Sequence, residues 1–298
     1  MDKKQIEDYR KAGSIAKQIK EYCKKTIKQG EELGKLAERI EAKIKELGGD
    51  IGFPVNLCID DLAAHSTPAL DDDTPASGLL KIDIGVSVNG AIADTAITID
   101  LTEDNRHKEI IKATEEALKK AIELVKKNKS ETKINEIGAI ISKTITDLGF
   151  TPIQNLSGHS IDLYQIHSGI TIPNYDNKND NELGEGVFAI EPFATYGNGI
   201  VYEGDVSGDY QLVKEGQVRD PTARQVLTWL KENKSTLPFS ERELEREFGS
   251  KAKLAIKRLE EAGIIKSFGR LIEKSHQPTT QIENTLIIYD DKVEVISD

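Results

Sequence analysis

The sequence predicts an α+β fold made of two similar halves, on three observations. The order helix, helix, strand, hairpin occurs twice along the chain. The strand segments are β-branched and apolar and are bounded by Gly or Asn turn residues. A helix-rich stretch over residues 203–270 interrupts the second half before strand signals return. The two copies share little sequence identity, so the repeat rests on element order alone.

The elements follow in order. Ile6, Tyr9, Ala12, Ile15, Ile19, Tyr22 and Ile27 recur at helical spacing, which predicts a helix over 3–29 ended by Gly30. Leu33, Leu36, Ile40, Ile44 and Leu47 make a second helix, stopped by Gly48-Gly49. A strand over 51–59, a polar loop with Asp71 to Asp73 and a hairpin over 80–100 complete the first half. The second half repeats helix (106–127), helix (133–148, stopped by Gly149) and extended segments. A hairpin is then expected in GVFAIEPFATYGNGIVY, turning near Gly197-Asn198-Gly199. Residues 203–220 are rich in Gly and Asp and break the pattern. Three helices follow between Pro221 and Gly263, the first starting at Pro221, the second capped by Ser240 with an incomplete capping box. The segment IIKSFGRL reads as a wing-like hairpin, and strand alternation resumes from Thr279. The expected division is therefore 1–202 with 271–298 as one unit, and 203–270 as an inserted, winged-helix-like one.

Composition excludes several classes. A net charge of −11 argues against nucleic acid as the main partner, and no specific DNA target is expected. Two cysteines, Cys23 and Cys58, make no disulfide framework, which suits a reducing cytoplasm. The N-terminal segment is charged and amphipathic, unlike a signal peptide, and no run of apolar residues is long enough to predict a membrane span.

The chemistry begins in KIDIGVSVNGAIADTAITID. Asn89-Gly90 between β-branched runs is the strongest short-range hairpin signal. A two-residue loop pairs Val88 with Ala91 and Gly85 with Asp94, and places Asp83 diagonal to Asp94 on one face. Such neighbours lie roughly 7–8 Å apart. Ile82, Ile84, Val86 and Val88 face a core, and Gly85 is expected to leave room for a ligand. Two acids converging on one buried face need a counter-charge, most simply a divalent metal. Taken singly they also fit a solvated hairpin face. Three more candidate ligands stand in distinctive settings: His159 in NLSGHSI, Glu191 in FAIEPF and Glu283 in TQIENT. One histidine and four carboxylates suit a pair of borderline-hard divalent ions.

With these residues assembled, the sequence resembles the methionine aminopeptidases of the pita-bread fold, type 2, over nearly the whole chain. The ligand order Asp, Asp, His, Glu, Glu matches Asp83, Asp94, His159, Glu191 and Glu283. The resemblance implies a dinuclear site for Co, Mn, Fe or Zn, with Asp83 a terminal chelator and Asp94 and Glu283 bridging. It implies that His65 (AAHSTP) contacts the substrate backbone and the departing amide, and that His167 (YQIHSG) polarises the scissile carbonyl. It places Phe53, Ile166 and Phe193 in a methionine pocket and makes Glu191 the acceptor of the attacking water's proton. The implied activity is removal of initiator methionine from nascent polypeptides whose second residue is small. The sequence has Ile before Glu283 where the family often has Phe, an apolar-for-apolar departure. Type 2 follows from the ninety-two-residue separation of Glu191 and Glu283, which leaves room for the insert, and the start close to the catalytic unit matches the compact archaeal form.

Proline dipeptidases and aminopeptidase P share the ligand set, but they usually carry a large domain before the first ligand, and eighty-two residues precede Asp83 here. A degenerate, non-catalytic relative that binds partners is the third reading, and the intact ligand set weighs against it. His107 and His276 match no family residue. Residues 221–270 hold eleven Lys or Arg against seven acids, a local charge of +4. This segment is expected to wall the substrate cleft, and its charge motivates a further expectation of contact with ribosomal RNA. A monomer is expected.

Overall fold

The structure is a computed structural model that describes residues 1–298. The first half opens on α1 (Lys3–Thr26), which starts from a reciprocal capping box in which Asp2 accepts from the Gln5 N–H and the Gln5 side chain accepts from the Asp2 N–H. Next come α2 (Leu33–Glu46), β1 (Asp50–Ile59), β2 (Leu62–Ala64), β3 (Leu79–Val88) and β4 (Ala91–Asp100). The second half contains α3 (Lys108–Asn128), α4 (Ile134–Asp147), β5 (Thr151–Pro152), β6 (Ser157–Ile161), β7 (Thr171–Pro173), β8 (Gly186–Ile190) and β9 (Phe193–Thr195). Then follow β10 (Val201–Leu212), α5 (Pro221–Asn233), β11 (Phe239–Ser240), α6 (Glu241–Phe248), α7 (Lys251–Glu261), β12 (Ile265–Glu273), β13 (Thr279–Gln281), β14 (Asn284–Tyr289) and β15 (Lys292–Val295).

Each half is a helix pair laid on a sheet. The apolar faces of α1 and α2 pack on Ile82, Ile84, Val86 and Val88 of β3 in one core. The faces of α3 and α4 pack on Phe188, Ile190, Leu286 and Ile288 in another. The sheet of the first half runs β1-β3-β4, and the main sheet of the second runs β15-β14-β8-β6-β7. The two halves are stitched where β4 meets the start of β14: Ala96 and Glu283 exchange backbone hydrogen bonds. Thr285 Oγ additionally accepts from the Asp94 N–H and donates to the Asp94 carbonyl.

The β3–β4 hairpin has the register expected from its turn, with Val88 opposite Ala91 and Gly85 opposite Asp94. Asn89 and Gly90 both have positive φ, as a type I′ turn demands. The hairpin expected in the second half does not form locally. Its first strand, β8, ends before Glu191-Pro192 and pairs instead with β14, with Ile190 opposite Asn284. β9 pairs with β13 and β5, and β10 departs to pair with β12. The antiparallel partner of β8 is therefore β14, a strand that lies beyond the interruption. Proline at 192 has no N–H with which to continue the ladder, and the Gly197–Gly199 turn serves a change of direction rather than a pairing.

Two further expectations are corrected. Much of 203–220 is strand: β10 continues to Leu212 through register shifts between Glu203, Val206 and Tyr210, near Gly204 and Gly208. The segment 265–273 is one strand, paired with both β10 and β2, not a hairpin. Both strands run across the boundaries expected at 202/203 and 270/271. The capping box at Ser240 is complete, since Glu243 is its third residue and returns to the Ser240 N–H. α5, α6 and α7 form a core of their own with Tyr210, Phe239 and Ile265. They are tied to α2 by buried Arg242, which bridges Glu41 and Glu38, and by Arg246, 2.9 Å from Glu41. Six of the eleven basic side chains between 221 and 270 (Lys231, Lys234, Arg242, Arg246, Lys253 and Arg258) are in ion pairs. No helix is long and apolar enough to cross a membrane.

Candidate metal centre and substrate cavity

One cavity opens where the two halves meet, and all five candidate ligands line it. Asp83 lies mid-β3, Asp94 in β4, His159 in β6, Glu191 just past β8 and Glu283 just before β14. His159 Nε2 is 3.4 Å from Asp94 Oδ2 and 3.5 Å from Glu191 Oε1. Ligand atoms of Asp94, His159 and Glu283 all lie within 4.8 Å of one another. Gln281 Nε2 donates to Asp83 Oδ2 at 3.2 Å and to Glu283 Oε2 at 3.3 Å, holding two carboxylates in place. Gln281 carries a sequence signal as well, since its position two residues before Glu283 puts it on the same strand face.

The electrostatics suit a bound cation. Burial, followed by the Asp94 charge, raises the Asp83 pKa well above the usual carboxylate range. Burial pushes Asp94 up to about 7. Glu191 and Glu283 are raised well above their usual values by burial, then by the neighbouring acids. Asp83 Oδ1, Asp94 Oδ1 and Glu283 Oε1 are buried with no hydrogen-bond partner. Buried oxygens without donors, on acids that cannot all ionise together, are what a divalent site requires. The donor set, carboxylates with one imidazole, fits such ions.

The histidines expected near the substrate also face this cavity. His65 follows β2 with φ +56°, and its ring lies edge-on to Phe268 at 5.8 Å. The His167 ring lies edge-on to His159 at 4.2 Å. Burial, then its neighbouring histidine, lowers His65 to about 4 and His167 to about 3; burial lowers His159 to about 4. All three are neutral at pH 7, so each ring has one donor and one acceptor nitrogen. Of the expected pocket residues, Phe53 and Ile166 share one apolar cluster with Leu237. Phe193 belongs to another, with Leu156 and Val201, so it lines the same cavity from a different wall. Gly85 does not leave space for a ligand: a β-carbon there would meet the Phe53 ring at 2.3 Å. The missing side chain seats Phe53 instead. His107 pairs with the Tyr196 hydroxyl, and His276 with Asp61 at 2.6 Å on the exposed surface; neither lines the cavity. Asn56, Asn155, Asp209, Pro238 and Phe268 also line it, and no local sequence pattern marks them.

Four carboxylates and an imidazole lining one cavity, with His65 and with His167 beside His159, fit a metal-dependent hydrolase. Residues 7–219 match the model of metallopeptidase family M24. The chain is 41% identical to the methionine aminopeptidase of Pyrococcus horikoshii, over 96% of this chain and 97% of that protein. It is 38% identical to that of Methanocaldococcus jannaschii, over 98% and 99%. It is 32% identical to methionine aminopeptidase 2 of Candida dubliniensis, over 98% of this chain and 69% of that protein. Among solved structures, a thermophilic Arx1 superposes with TM-score 0.83 at 16% identity, covering 99% of this chain and 91% of that one. The Thermotoga maritima methionine aminopeptidase gives 0.69 at 18% identity, with 100% and 98% covered. The Pyrococcus furiosus prolidase gives 0.62 at 18%, with 100% and 64% covered. These structural likenesses establish the pita-bread fold. The chain belongs to metallopeptidase family M24 and, within it, to the methionine aminopeptidases.

Proposed function

We propose that the protein removes the N-terminal methionine of nascent polypeptides whose second residue is small, with two divalent ions held by Asp83, Asp94, His159, Glu191 and Glu283. The observation that carries this is the set of buried, unpartnered carboxylate oxygens facing one cavity. Mn, Co, Fe and Zn all suit the donors. When bound, such ions supply Lewis-acid activation of a water and of the scissile carbonyl. The chain's residues do the rest. Glu191, which lines the cavity beside His159, takes the proton of the attacking water. His167, neutral and facing the cavity, donates a hydrogen bond to the developing oxyanion. His65, also neutral, supports the departing amide nitrogen. Phe53, Ile166 and Phe193 enclose the methionine side chain. The segment 203–270 walls the cleft, a role supported by Asp209, Pro238 and Phe268 at the cavity. Two buried, unpaired cysteines support a reducing cytoplasm as the place of action. For ribosome contact the supporting charge reduces to the basic side chains without an ion pair, among them Lys251 and Lys257. Salt-dependent pelleting with Lys251→Glu and Lys257→Glu tests it, and equal binding by variant and parent removes it.

The deciding assay is hydrolysis of Met-Gly-, Met-Lys- and Ala-Pro- peptides by metal-stripped protein supplied with Mn or Co. Methionine release from Met-Gly- alone is expected. Cleavage of Ala-Pro- without Met-Gly- would replace this reading with a proline-specific one. Glu191→Gln is expected to fold and to lose on the order of 10²–10⁴ in turnover; turnover like that of the parent removes Glu191 from proton transfer.

A further inference from the structure

One acid at the cavity has no part in the metal centre. Asp209, on β10 opposite Ser240 of β11, is 5% exposed, and neither of its carboxylate oxygens has a hydrogen-bond partner. It lines the cavity together with Phe53, Ile166 and Pro238. Phe53 and Ile166 share their apolar cluster with Leu237, the residue before Pro238, and Pro238 leads directly into β11. Asp209 is thus an acid on the same cavity as these apolar side chains. Arg242 is the cation that acts on it electrostatically, but its guanidinium bonds Glu41, Thr67 and the Pro68 carbonyl, not Asp209. Burial raises the Asp209 pKa well above the usual carboxylate range. A neutral carboxyl carries an O–H donor, and a buried donor without an acceptor is a standing cost that a ligand can relieve.

Resting on the functional reading above, we propose that Asp209 is a specificity-determining residue, its carboxyl donating a hydrogen bond to the thioether sulfur of the substrate's first residue. An apolar pocket alone discriminates weakly between methionine and its methylene isostere norleucine, because shape and area are nearly the same. A donor aimed into the pocket separates them, because only the thioether offers an acceptor.

The test compares kcat/KM on Met-Gly- and norleucyl-Gly- peptides for the Mn-loaded parent, Asp209→Leu and Asp209→Asn, with melting midpoints recorded for each. The parent is expected to favour methionine by about fivefold, the effect of one net hydrogen bond. Asp209→Leu should bring the ratio close to one, and Asp209→Asn, which keeps a donor, should retain most of it. A parent that cleaves both peptides without preference overturns the proposal, and so does a ratio unchanged in Asp209→Leu. If the leucine variant fails to fold, the parent's own ratio and that of Asp209→Asn still decide. Cleavage of neither peptide by the parent removes the aminopeptidase reading, and this proposal with it.

Discussion

Asp94 combines three constraints: it is buried, its Oδ1 lacks a donor, and its Oδ2 lies 3.4 Å from His159. Its pKa stands near 7 in the folded chain against an ordinary 3.8. A carboxyl raised in this way favours folding fully below about pH 4, and that contribution is lost as pH rises towards 7, because the unfolded chain releases the proton first. Metal-free Asp94→Asn should therefore gain stability relative to the metal-free parent across that window, by on the order of a few kcal/mol. His159 and the neighbouring acids titrate together with Asp94, so the gap reports the proton release of the whole acidic site. Denaturant unfolding of both chains at pH 4.5, 6 and 7.5 reads the difference, and a gap that stays constant with pH would contradict the assignment. The same substitution should abolish metal-dependent turnover. Asp83, Asp94 and their facing geometry were legible in the sequence because a two-residue Asn-Gly turn sets register locally. The contact of Gln281 with Asp83 and the place of Asp209 on the cavity were not, because each is fixed by strands far away in the chain.

Among the elements, the β3–β4 hairpin does two jobs that depend on one glycine. Gly85 opposes Asp94 on the acidic face and also seats the Phe53 ring from β1. Gly85→Val should displace Phe53 into the cavity and lower kcat/KM on Met-Gly- peptides by tenfold to a hundredfold, on the order expected for misplaced substrate contacts. Steady-state kinetics check this, and unchanged kinetics would show that Phe53 tolerates the shift. The joint between α2 and α6 depends on charge. Glu41 is 1% exposed, and Arg242 and Arg246 hold its carboxyl below the usual range against the opposing effect of burial. Arg242→Ala leaves that charge short of its closest partner and should cost roughly 3–5 kcal/mol in urea unfolding. A loss under 1 kcal/mol would mean that Arg246 and Glu41 repack without it. Neither partner choice was readable beforehand, since Arg242 looked like one basic residue among eleven.

At the scale of the whole molecule, the two halves meet at an acidic seam bonded by Ala96–Glu283 and Asp94–Thr285. Ligands from both halves face one cavity, so a bound cation holds the halves together as well as serving chemistry. Mn at a hundred times its dissociation constant should stabilise the chain by about 2.7 kcal/mol. Its affinity should tighten as pH rises through 7, because the site's carboxyls must release protons to bind it. Calorimetric melts with Mn and with chelator at pH 6 and 8 measure both, and a melting point indifferent to metal would sink the idea. The sequence by itself determined what is local or periodic: the helices, the first hairpin and its register, the acids on its face, and the ordered set of ligands that carried the family resemblance. Only the tertiary structure decided what pairs across long separations. It joined β8 to β14, turned 203–212 and 265–273 into partnered strands, filled the space at Gly85 with Phe53 and brought Asp209 to the cavity wall. Local turn chemistry and side-chain period act over a few residues. Pairing between distant strands is chosen by burial and ladder completion in the assembled fold, which no single segment encodes.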